Sequence, residues 1–428
     1  MSDNLEEQPY GAFVRIRYAT LINYATNALS LMASLAFVVI VTRRLSIEEF
    51  GVWTLIFSYI NYAMIFANIY TYWLPRTISR GVNTVLTGLG ISAIIGLLAS
   101  MIYAVFMYGA SATFEQPLIP LLLSTVMLFE NYVYEALSSS ITGYKPQYVG
   151  IGMLTLRVSQ AALAFIAVAA LRTGLFGAVL SAITGRGIAI ILLLKANWPL
   201  ISRGVFDWRT VKLWLKRAWL PIYTGVLRAV SFLDTLLVFI IVGSEEPVAY
   251  FGVVYSILGM AYRTVDVPSA LYARILAKGD LRDVDEGFWL AYMLTVPICV
   301  GAFFFAPQIL SIYNPKYVIV EPALRVFALS LLIFFLRRIY RSVFVGLERK
   351  DMLETVDLKK TAIFEAVTIR YVSTGAYLAV LSLIAYIYRN DPITLVTLWG
   401  VAFIFRDSLI SILLMAGLKR RFKVTLPY

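Results

Sequence analysis

The sequence predicts an all-α protein that crosses a membrane many times, and three observations support this. The chain has 428 residues, of which 60% are hydrophobic and only 14% are charged, a composition unlike that of soluble domains. Its mean hydropathy is +0.79. Apolar runs of roughly 20 residues, each able to cross a hydrocarbon core of about 30 Å as a helix, recur along the chain. We therefore expect a polytopic helical membrane protein.

The apolar runs predict twelve membrane-spanning helices. The residues before the first run are acidic and then basic, and they lack the compact apolar segment and cleavage site of a signal peptide. We therefore expect this run to be retained as a helix. In chain order the predicted spans are 19–42, 50–73, 82–108, 116–139, 149–171, 173–194, 218–242, 247–272, 288–311, 322–345, 365–388 and 392–416.

The basic residues predict the orientation. The chain carries 37 Lys and Arg against 25 Asp and Glu, a net charge of +12. With the N-terminus inside, the segments between spans carry 22 basic residues on the cytoplasmic side and five outside. This asymmetry predicts a plasma-membrane protein with both termini in the cytoplasm. Topology and anionic lipid surfaces account for most of the positive charge, so we expect no nucleic-acid partner.

The scarcity of cysteine and histidine limits the chemistry. Cys299 is the single cysteine and there is no histidine, so neither a disulfide framework nor a Cys/His metal site is expected. The usual near-neutral proton switch is also missing. We expect no cofactor, and a coupling cation, H⁺ or Na⁺, is a candidate ligand.

Two stretches separated by about two hundred residues resemble each other, which predicts an internal repeat. Residues 27–53 align without a gap on residues 228–254 at an offset of 201. The second stretch carries Arg228 and Asp234 where the first has Asn27 and Ala33. The identical pairs are Ala28 and Ala229, Ser30 and Ser231, Leu35 and Leu236, Ile40 and Ile241, Val41 and Val242, Phe50 and Phe251, Gly51 and Gly252, and Val52 and Val253.

The repeat divides the predicted helices into two bundles. Each bundle would contain six helices, and because six is even, the two would be related by a pseudo-two-fold axis along the membrane normal. We expect an N-lobe at residues 1–194, a cytoplasmic linker at 195–217 and a C-lobe at 218–428. The linker interleaves basic residues with Trp198, Trp208 and Trp214, which predicts an amphipathic helix on the membrane surface.

Arginines inside the predicted spans are the main functional candidates. Each buried charge costs about 2.5 to 3.5 kcal/mol at the centre of a span, so some of these side chains are expected to face a polar cavity. Arg325, Arg338 and Arg370 lie near helix ends, where they could snorkel to the surface. Arg337 and Arg341 also approach a helix end, so structural and phosphate-binding roles both stay open for them. The candidates for binding substrate phosphate are Arg228, Arg406, Arg157, Arg186, Arg263, Arg337 and Arg341.

Acidic residues within the spans are candidates for ion coupling or charge pairing. They are Asp234, Asp407, Asp266 and Glu130. Asp266 stands three residues after Arg263 on one helix face and could pair with it. Asp407 directly follows Arg406, so these two side chains are expected to point in different directions. Asp234 could bind a cation, accept a proton or hold an arginine such as Arg228.

The segments "SLMASLAFVVIVTRRLSIEEFGVWTLIFSYI" and "SFLDTLLVFIIVGSEEPVAYFGVVYSI" carry a family resemblance. In each, an apolar helix runs into a short turn with an acidic pair, followed by a second helix rich in aromatic residues, and the second segment includes Asp234. They resemble the Wzx-type polysaccharide flippases of the multidrug/oligosaccharidyl-lipid/polysaccharide (MOP) exporter superfamily. The likeness implies a MATE/MOP-like arrangement of two six-helix bundles.

The resemblance also implies a function. Such a protein would move a polyprenyl-phosphate- or pyrophosphate-linked oligosaccharide to the outer leaflet by alternating access through a cationic cavity, for assembly of surface polysaccharide or glycoprotein. Its partners would be this substrate, membrane lipids and proteins of glycan assembly, and the protein would act as a monomer. Only Asp234 and the cavity arginines have counterparts in kind in the family.

Three other functions were weighed. A MATE-type drug exporter has the same two-lobe layout, but an arginine-lined cavity would repel organic cations. A major-facilitator sugar carrier would be expected to have a longer basic loop than "PRTISRG" between helices 2 and 3. A membrane enzyme is disfavoured because the loops are too short for a catalytic domain and the chain has no nucleotide-binding glycine loop. We therefore expect a transporter and not an enzyme.

Overall fold

The described part of the chain is helical and forms two compact units. The structure is a computed structural model, and it describes residues 16–264, 275, 284–348, 361–424 and 426. The first unit ends at Ala229 and the second begins at Val230. The predicted lobe boundaries at 194 and 217, and the symmetry between lobes, stay predictions.

In the first unit, the long helices α1, α5, α6, α7 and α8 pack side by side, with α1 on α7, α5 on α6, and α8 on both α6 and α7. A 3₁₀ turn joins α2 to α3, and a π-helical turn follows α7. The helices are α1 Ile16–Arg44, α2 Ile47–Ala63, α3 Asn68–Thr71, α4 Leu74–Ile78, α5 Val85–Phe114, α6 Leu118–Tyr144, α7 Gln147–Ala164, α8 Gly174–Ile201, α9 Trp208–Lys216 and α10 Trp219–Val230.

In the second unit, α15 is central and packs against α13 and α17, and α17 also packs against α16. Phe335, Val343 and Leu414 belong to its buried core. The helices are α11 Leu233–Val242, α12 Glu246–Thr264, α13 Val284–Phe304, α14 Ala306–Tyr313, α15 Glu321–Gly346, α16 Ala362–Ile387 and α17 Pro392–Phe422.

Within the described residues, nine helices are long and apolar enough to cross a membrane. Each of the twelve predicted spans falls mainly on helix where it is described, with turns inside 218–242 and, at Phe305, inside 288–311. The three predicted spans outside the nine fall on α6, on α10 with α11, and on α12. The abundance of apolar helices indicates a multi-pass membrane protein, whereas the number twelve stays a prediction.

The turn between α1 and α2 is fixed by a capping box. Ser46 Oγ accepts the backbone N–H of Glu49 at 3.1 Å, and Glu49 Oε2 accepts the backbone N–H of Ser46 at 3.0 Å. The other carboxylate oxygen of Glu49 accepts the N–H of Leu175 at 3.2 Å. A single side chain therefore satisfies backbone donors at the first turns of both α2 and α8.

The predicted span 218–242 is not one helix, which corrects the sequence analysis. It is interrupted at Ser231 and Phe232, between α10 and α11, while the aligned α1 is continuous. Asp234 lies in the first turn of α11, where its Oδ1 accepts the N–H of Thr235 at 2.7 Å. Aspartate side chains that bond nearby backbone in this way compete with helix continuation.

The linker contains the predicted helix, α9. Asp207 caps it by accepting the N–H groups of Arg209 at 2.9 Å and Thr210 at 3.1 Å. Hydrogen bonds from the Thr210 hydroxyl and from these amides lower the pKa of Asp207. Val211 and Trp214 are buried, and α9 packs on α5. The buried side chains of α9 therefore face protein. The location of α9 at a membrane surface stays a prediction.

Candidate functional site

A cavity of about 240 Å³ lies within the first unit. Its walls come from α1, α2, the 3₁₀ turn that follows α2, α3, α6, α7 and α8. Aromatic rings and side-chain amides both line it, together with two arginines and one glutamate. The residues that matter below are Phe37, Trp53, Phe57, Asn61, Asn68, Asn131, Glu135, Arg157, Gln160 and Arg186.

Arg186 on α8 is the most deeply buried charge of this cavity, with 6% of its surface exposed. Its Nε and Nη1 have no hydrogen-bond partner among the described residues. Arg157 on α7 lies in the same wall, and its Nη1 donates to Gln160 Oε1 at 3.1 Å. The cavity therefore presents guanidinium N–H groups that need an acceptor.

Gly185 brings α7 and α8 close together beside this pair. A Cβ at residue 185 would lie 2.7 Å from Gln160 Cγ and 2.8 Å from the backbone nitrogen of Gln160. A larger residue would force the helices apart, because the second of these atoms belongs to the backbone. The glycine thus places Arg186 next to the Arg157 and Gln160 pair.

Glu130 on α6 is the acidic residue whose charge interacts most strongly with Arg186. Its charge interacts with the guanidinium of Arg186, but they form no ion pair within 4.0 Å among the contacts described. Glu130 Oε2 has no hydrogen-bond partner in the described part of the chain. A Cβ at residue 187 would lie 3.5 Å from Glu130 Oε1, so the carboxylate rests against α8 where Gly187 leaves room. The charge of Glu130 therefore offsets part of the charge of Arg186, while the Nε and Nη1 N–H groups of Arg186 still lack hydrogen-bond acceptors.

The second unit contains a buried cluster of two arginines around one aspartate. Arg406 Nε donates to Asp407 Oδ1 at 2.9 Å, and Arg337 Nε lies 3.5 Å from Asp407 Oδ2. The guanidinium of Arg406 also lies over the ring of Phe403 at 4.2 Å. The expectation that Arg406 and Asp407 point apart is wrong, because the arginine stem is long enough to turn back along the helix. The cluster keeps one excess positive charge.

Asp234 belongs to a separate hydrogen-bonded group in this unit. Its Oδ2 accepts the hydroxyl of Tyr377 at 2.8 Å, and its Oδ1 accepts both the N–H and the hydroxyl of Thr235. Trp399 Nε1 donates to the same Tyr377 oxygen at 2.8 Å. The indole of Trp399 stacks on Phe251, with ring centroids 4.0 Å apart. Asp234 is thus a buried carboxylate with three donors.

Tyr377 connects the two groups of the second unit. Its hydroxyl bonds Asp234, and its ring lies 5.1 Å from the guanidinium carbon of Arg406. A change in the protonation or ligation of Asp234 would therefore be felt by the Arg406 side chain through one intervening ring. Neither Tyr377 nor Trp399 was singled out by the sequence, since a polar aromatic residue inside a span gives no signal of its partner.

The remaining candidates are placed as follows. Arg341 is exposed. Arg228 and Arg263 lie on described helices, but their side chains are outside the described residues, as is all of Asp266. The predicted pairing of Arg263 with Asp266 and of Arg228 with Asp234 therefore stays a prediction. Gln160, which sequence analysis missed, could have been found as a polar residue three positions after Arg157 on one helix face.

No group of three or more Cys, Asp or Glu side chains that could hold a metal ion occurs in the described part of the chain. What the two units offer instead are guanidinium groups in polar surroundings with aromatic neighbours. Such groups bind anions, above all phosphate and carboxylate, through paired N–H donors.

The fold was compared with known proteins. No family model matches the sequence, and no curated protein matches it. An inward-facing multidrug resistance MATE family transporter of the MOP superfamily superposes with a TM-score of 0.68 at 14% identity, covering 94% of this chain and 98% of that one. The chain has the fold of this transporter.

Two further structures share this fold. The lipid II flippase MurJ in an inward closed conformation matches with a TM-score of 0.67 at 13% identity, over 94% of this chain and 87% of MurJ. A MOP superfamily transporter from Pyrococcus furiosus, whose binding pocket is described as having reverse polarity, matches with a TM-score of 0.62 at 15% identity, over 96% and 95%. These neighbours are membrane transporters and a flippase, not enzymes.

Proposed function

We propose that this protein is a MOP-superfamily flippase for a polyprenyl-phosphate- or pyrophosphate-linked oligosaccharide. It would carry this cargo from the cytoplasmic to the outer leaflet of the plasma membrane by alternating access, with both termini cytoplasmic. A coupling cation, H⁺ or Na⁺, would drive the cycle. The protein would act as a monomer that receives its substrate from glycan-assembly proteins and supplies cell-surface polysaccharide or glycoprotein.

The observation that carries the proposal is the state of Arg186. A buried guanidinium with N–H groups that lack acceptors is costly, because a buried polar group without a hydrogen bond loses its hydration and gains nothing in return. A phosphate or carboxylate entering the cavity would provide those acceptors, and Arg157 beside it would add a second cationic contact. Binding of an anionic cargo would therefore offset the free-energy cost of the Arg186 N–H groups that lack acceptors.

The aromatic and amide side chains of the same cavity suit the saccharide part of such a cargo. Trp53 and Phe37 lie with ring centroids 5.7 Å apart at the cavity wall. Ring faces pack against the apolar faces of sugars, while Asn and Gln amides offer both donors and acceptors to hydroxyl groups. MurJ, a lipid II flippase, supports the proposal because the same fold there serves a lipid-linked substrate.

A MATE-type drug exporter is the second candidate. Glu135 lines the cavity together with Trp53 and Phe57, and a carboxylate with aromatic rings can hold an organic cation. Two arginines in the same cavity oppose this, because they would repel a cation at short range. The balance of charge favours the flippase.

Arg186→Gln tests the proposal. The variant keeps donors and most of the side-chain volume but removes the charge, so we expect flipping of a fluorescent polyprenyl-pyrophosphate oligosaccharide in proteoliposomes to fall at least tenfold. Arg325→Gln, which changes an arginine paired to Glu321 at 2.5 Å, is the matched control and should keep the parental rate. In the same assay Arg228→Ala reports on the last helix of the first unit, and Arg406→Ala reports on the second unit.

Two outcomes would contradict the flippase. One is a parental flipping rate in Arg186→Gln, which would remove the cavity from substrate binding. The other is export of organic cations by the parent protein that increases in Arg186→Gln, since loss of a repelling charge should help a drug exporter.

A further inference from the structure

A second concave surface of the first unit lies outside the cavity, between α7 and α8. It is a groove of about 460 Å³. Its walls are apolar along most of their length, and lysines stand at one end. The lining residues used below are Lys145, Tyr148, Thr155, Ile188, Ile191 and Lys195.

The α8 wall of this groove is one continuous helix face. Ile188, Ile191, Lys195 and Pro199 recur at spacings of three and four residues, which places them in a single row. Ile188 and Ile191 are 44% and 56% exposed, whereas Leu193 on the opposite side of the helix is fully buried. The row therefore faces away from the protein core, toward the hydrocarbon of a membrane.

The apolar part of the groove is shorter than one leaflet. From Ile188 to Lys195, α8 rises about 10 Å at about 1.5 Å per residue. Half of a hydrocarbon core of about 30 Å is about 15 Å. An acyl chain that starts at Lys195 would therefore lie along this face for most of the depth of one leaflet.

The polar end of the groove carries positive charge only. Lys145 follows the end of α6 and Lys195 lies on the exposed side of α8. Helix α7 begins at Gln147, so the positive end of its dipole is directed to the same place. Trp198, 63% exposed, adjoins Lys195 on the neighbouring face, where an indole suits the interface between headgroups and hydrocarbon.

We propose that this groove binds one anionic phospholipid, with its phosphate at Lys145 and Lys195 and an acyl chain along α8. Lysines near the membrane–water interface are common on the cytoplasmic side of any membrane protein. Here they stand beside a concave apolar groove that lies within one leaflet, and the combination fits a phospholipid in shape and in charge.

Lipid titration of the purified full-length chain tests this. Native mass spectrometry would count bound phosphatidylglycerol and phosphatidylcholine with identical acyl chains. The parent should bind one phosphatidylglycerol in strong preference to phosphatidylcholine. Lys145→Gln with Lys195→Gln should weaken phosphatidylglycerol binding about 30-fold, as expected for two lysine contacts at a lipid surface.

The matched control is Lys212→Gln with Lys216→Gln. It removes the same two charges from exposed positions of α9, outside the groove, and should leave the bound lipid unchanged. Thr155→Trp keeps every charge and fills the groove, so it should also remove the bound lipid. This variant tests the site even where the double lysine variant fails to fold.

Three results would overturn the proposal. Equal binding of the two lipids by the parent would remove the charge contact, and equal weakening by both lysine pairs would remove the site. Displacement of phosphatidylglycerol by a lower concentration of polyprenyl phosphate would make the cargo lipid the occupant. No residue lines both the groove and the cavity of Arg186, so failure here would leave the flippase proposal standing.

Discussion

Asp407 pairs with two buried arginines of the second unit, Arg406 and Arg337, and its removal should be costly. Arg406 and Arg337 both direct Nε toward it, at 2.9 and 3.5 Å. Without this charge, two guanidinium groups would face each other in a poorly hydrated place. Arginine pairs of that kind are stable only when an anion, from the protein or from a ligand, lies between them.

We therefore expect Asp407→Asn to lower the free energy of unfolding by about 3 to 5 kcal/mol. Unfolding by denaturant titration in detergent measures this. A second change, Arg337→Met, should recover part of the loss by removing one of the two uncompensated charges.

Glu321→Gln is the control for Asp407→Asn, since it breaks the partly exposed pair with Arg325 and should cost at most about 1 kcal/mol. Equal stability of Asp407→Asn and the parent would show that the arginines do not depend on Asp407.

At the scale of elements, two carboxylate side chains, those of Glu49 and Asp234, cap helix N-termini. Asp234 lies directly after the interruption between α10 and α11. Glu49 accepts backbone N–H groups at the first turns of α2 and α8. Asp234 accepts the N–H of Thr235 at the beginning of α11. In both cases a carboxylate satisfies donors that a helix leaves unpaired at its N-terminus and that hydrocarbon cannot solvate.

Substitution of Glu49 should separate its two contacts. Glu49→Gln keeps one acceptor oxygen, so it should lose one of the caps and about 1 kcal/mol of unfolding free energy, while Glu49→Ala should lose about 2 kcal/mol. Denaturant titration in detergent again provides the measurement.

The neighbouring acid in the same first turn gives the control. Glu48→Gln removes an exposed charge near the α2 N-terminus without touching the contacts of Glu49, and should change stability by less than about 1 kcal/mol. Losses of equal size for Glu48→Gln and Glu49→Gln would show that charge alone, and not the two hydrogen bonds, is what matters.

On the scale of the whole molecule, the charged groups of the two units differ in how well they are satisfied. In the first unit Arg186 Nε and Nη1 lack acceptors. In the second unit Arg406 and Asp234 have hydrogen-bond partners, and Arg337, whose Nε also lacks a hydrogen bond, lies 3.5 Å from the Asp407 carboxylate. Among these described arginines Arg186 has no carboxylate within ion-pair distance, so an anionic cargo would gain more from the first unit. The second unit is better suited to respond to a proton or cation, since Tyr377 bonds Asp234 and packs against Arg406.

Asp234→Asn tests that division of roles. If this carboxylate carries the coupling ion, the variant should flip the oligosaccharide at a rate that no longer depends on a proton or sodium gradient, with parental binding of the cargo. Flipping rates in proteoliposomes with and without each gradient supply the comparison. Unchanged gradient dependence would exclude Asp234 from coupling.

The sequence was informative about the elements and much less so about contacts. The spans can be predicted because a helix in hydrocarbon must be apolar and long, so the predicted spans fall mainly on helix. The break before Asp234 was missed because an apolar run does not record local hydrogen bonds such as the one from Thr235 N–H to Asp234. The pairing of Tyr377 with Asp234 joins residues 143 positions apart and depends on how α11 and α16 pack. Composition could identify Arg186 as a candidate, but only packing shows that its donors are unsatisfied.

The double role of Glu49 has a consequence for how homologous sequences should vary. Gly174 adopts φ +60°, and a Cβ there would come within 2.6 Å of Glu49 Oε1. Ser46, Glu49 and Gly174 are thus one geometric unit spread over distant parts of the chain. In an alignment of homologues Ser46 and Glu49 should change together, whereas position 174 should stay glycine even where the acid is lost, because φ +60° disfavours larger residues.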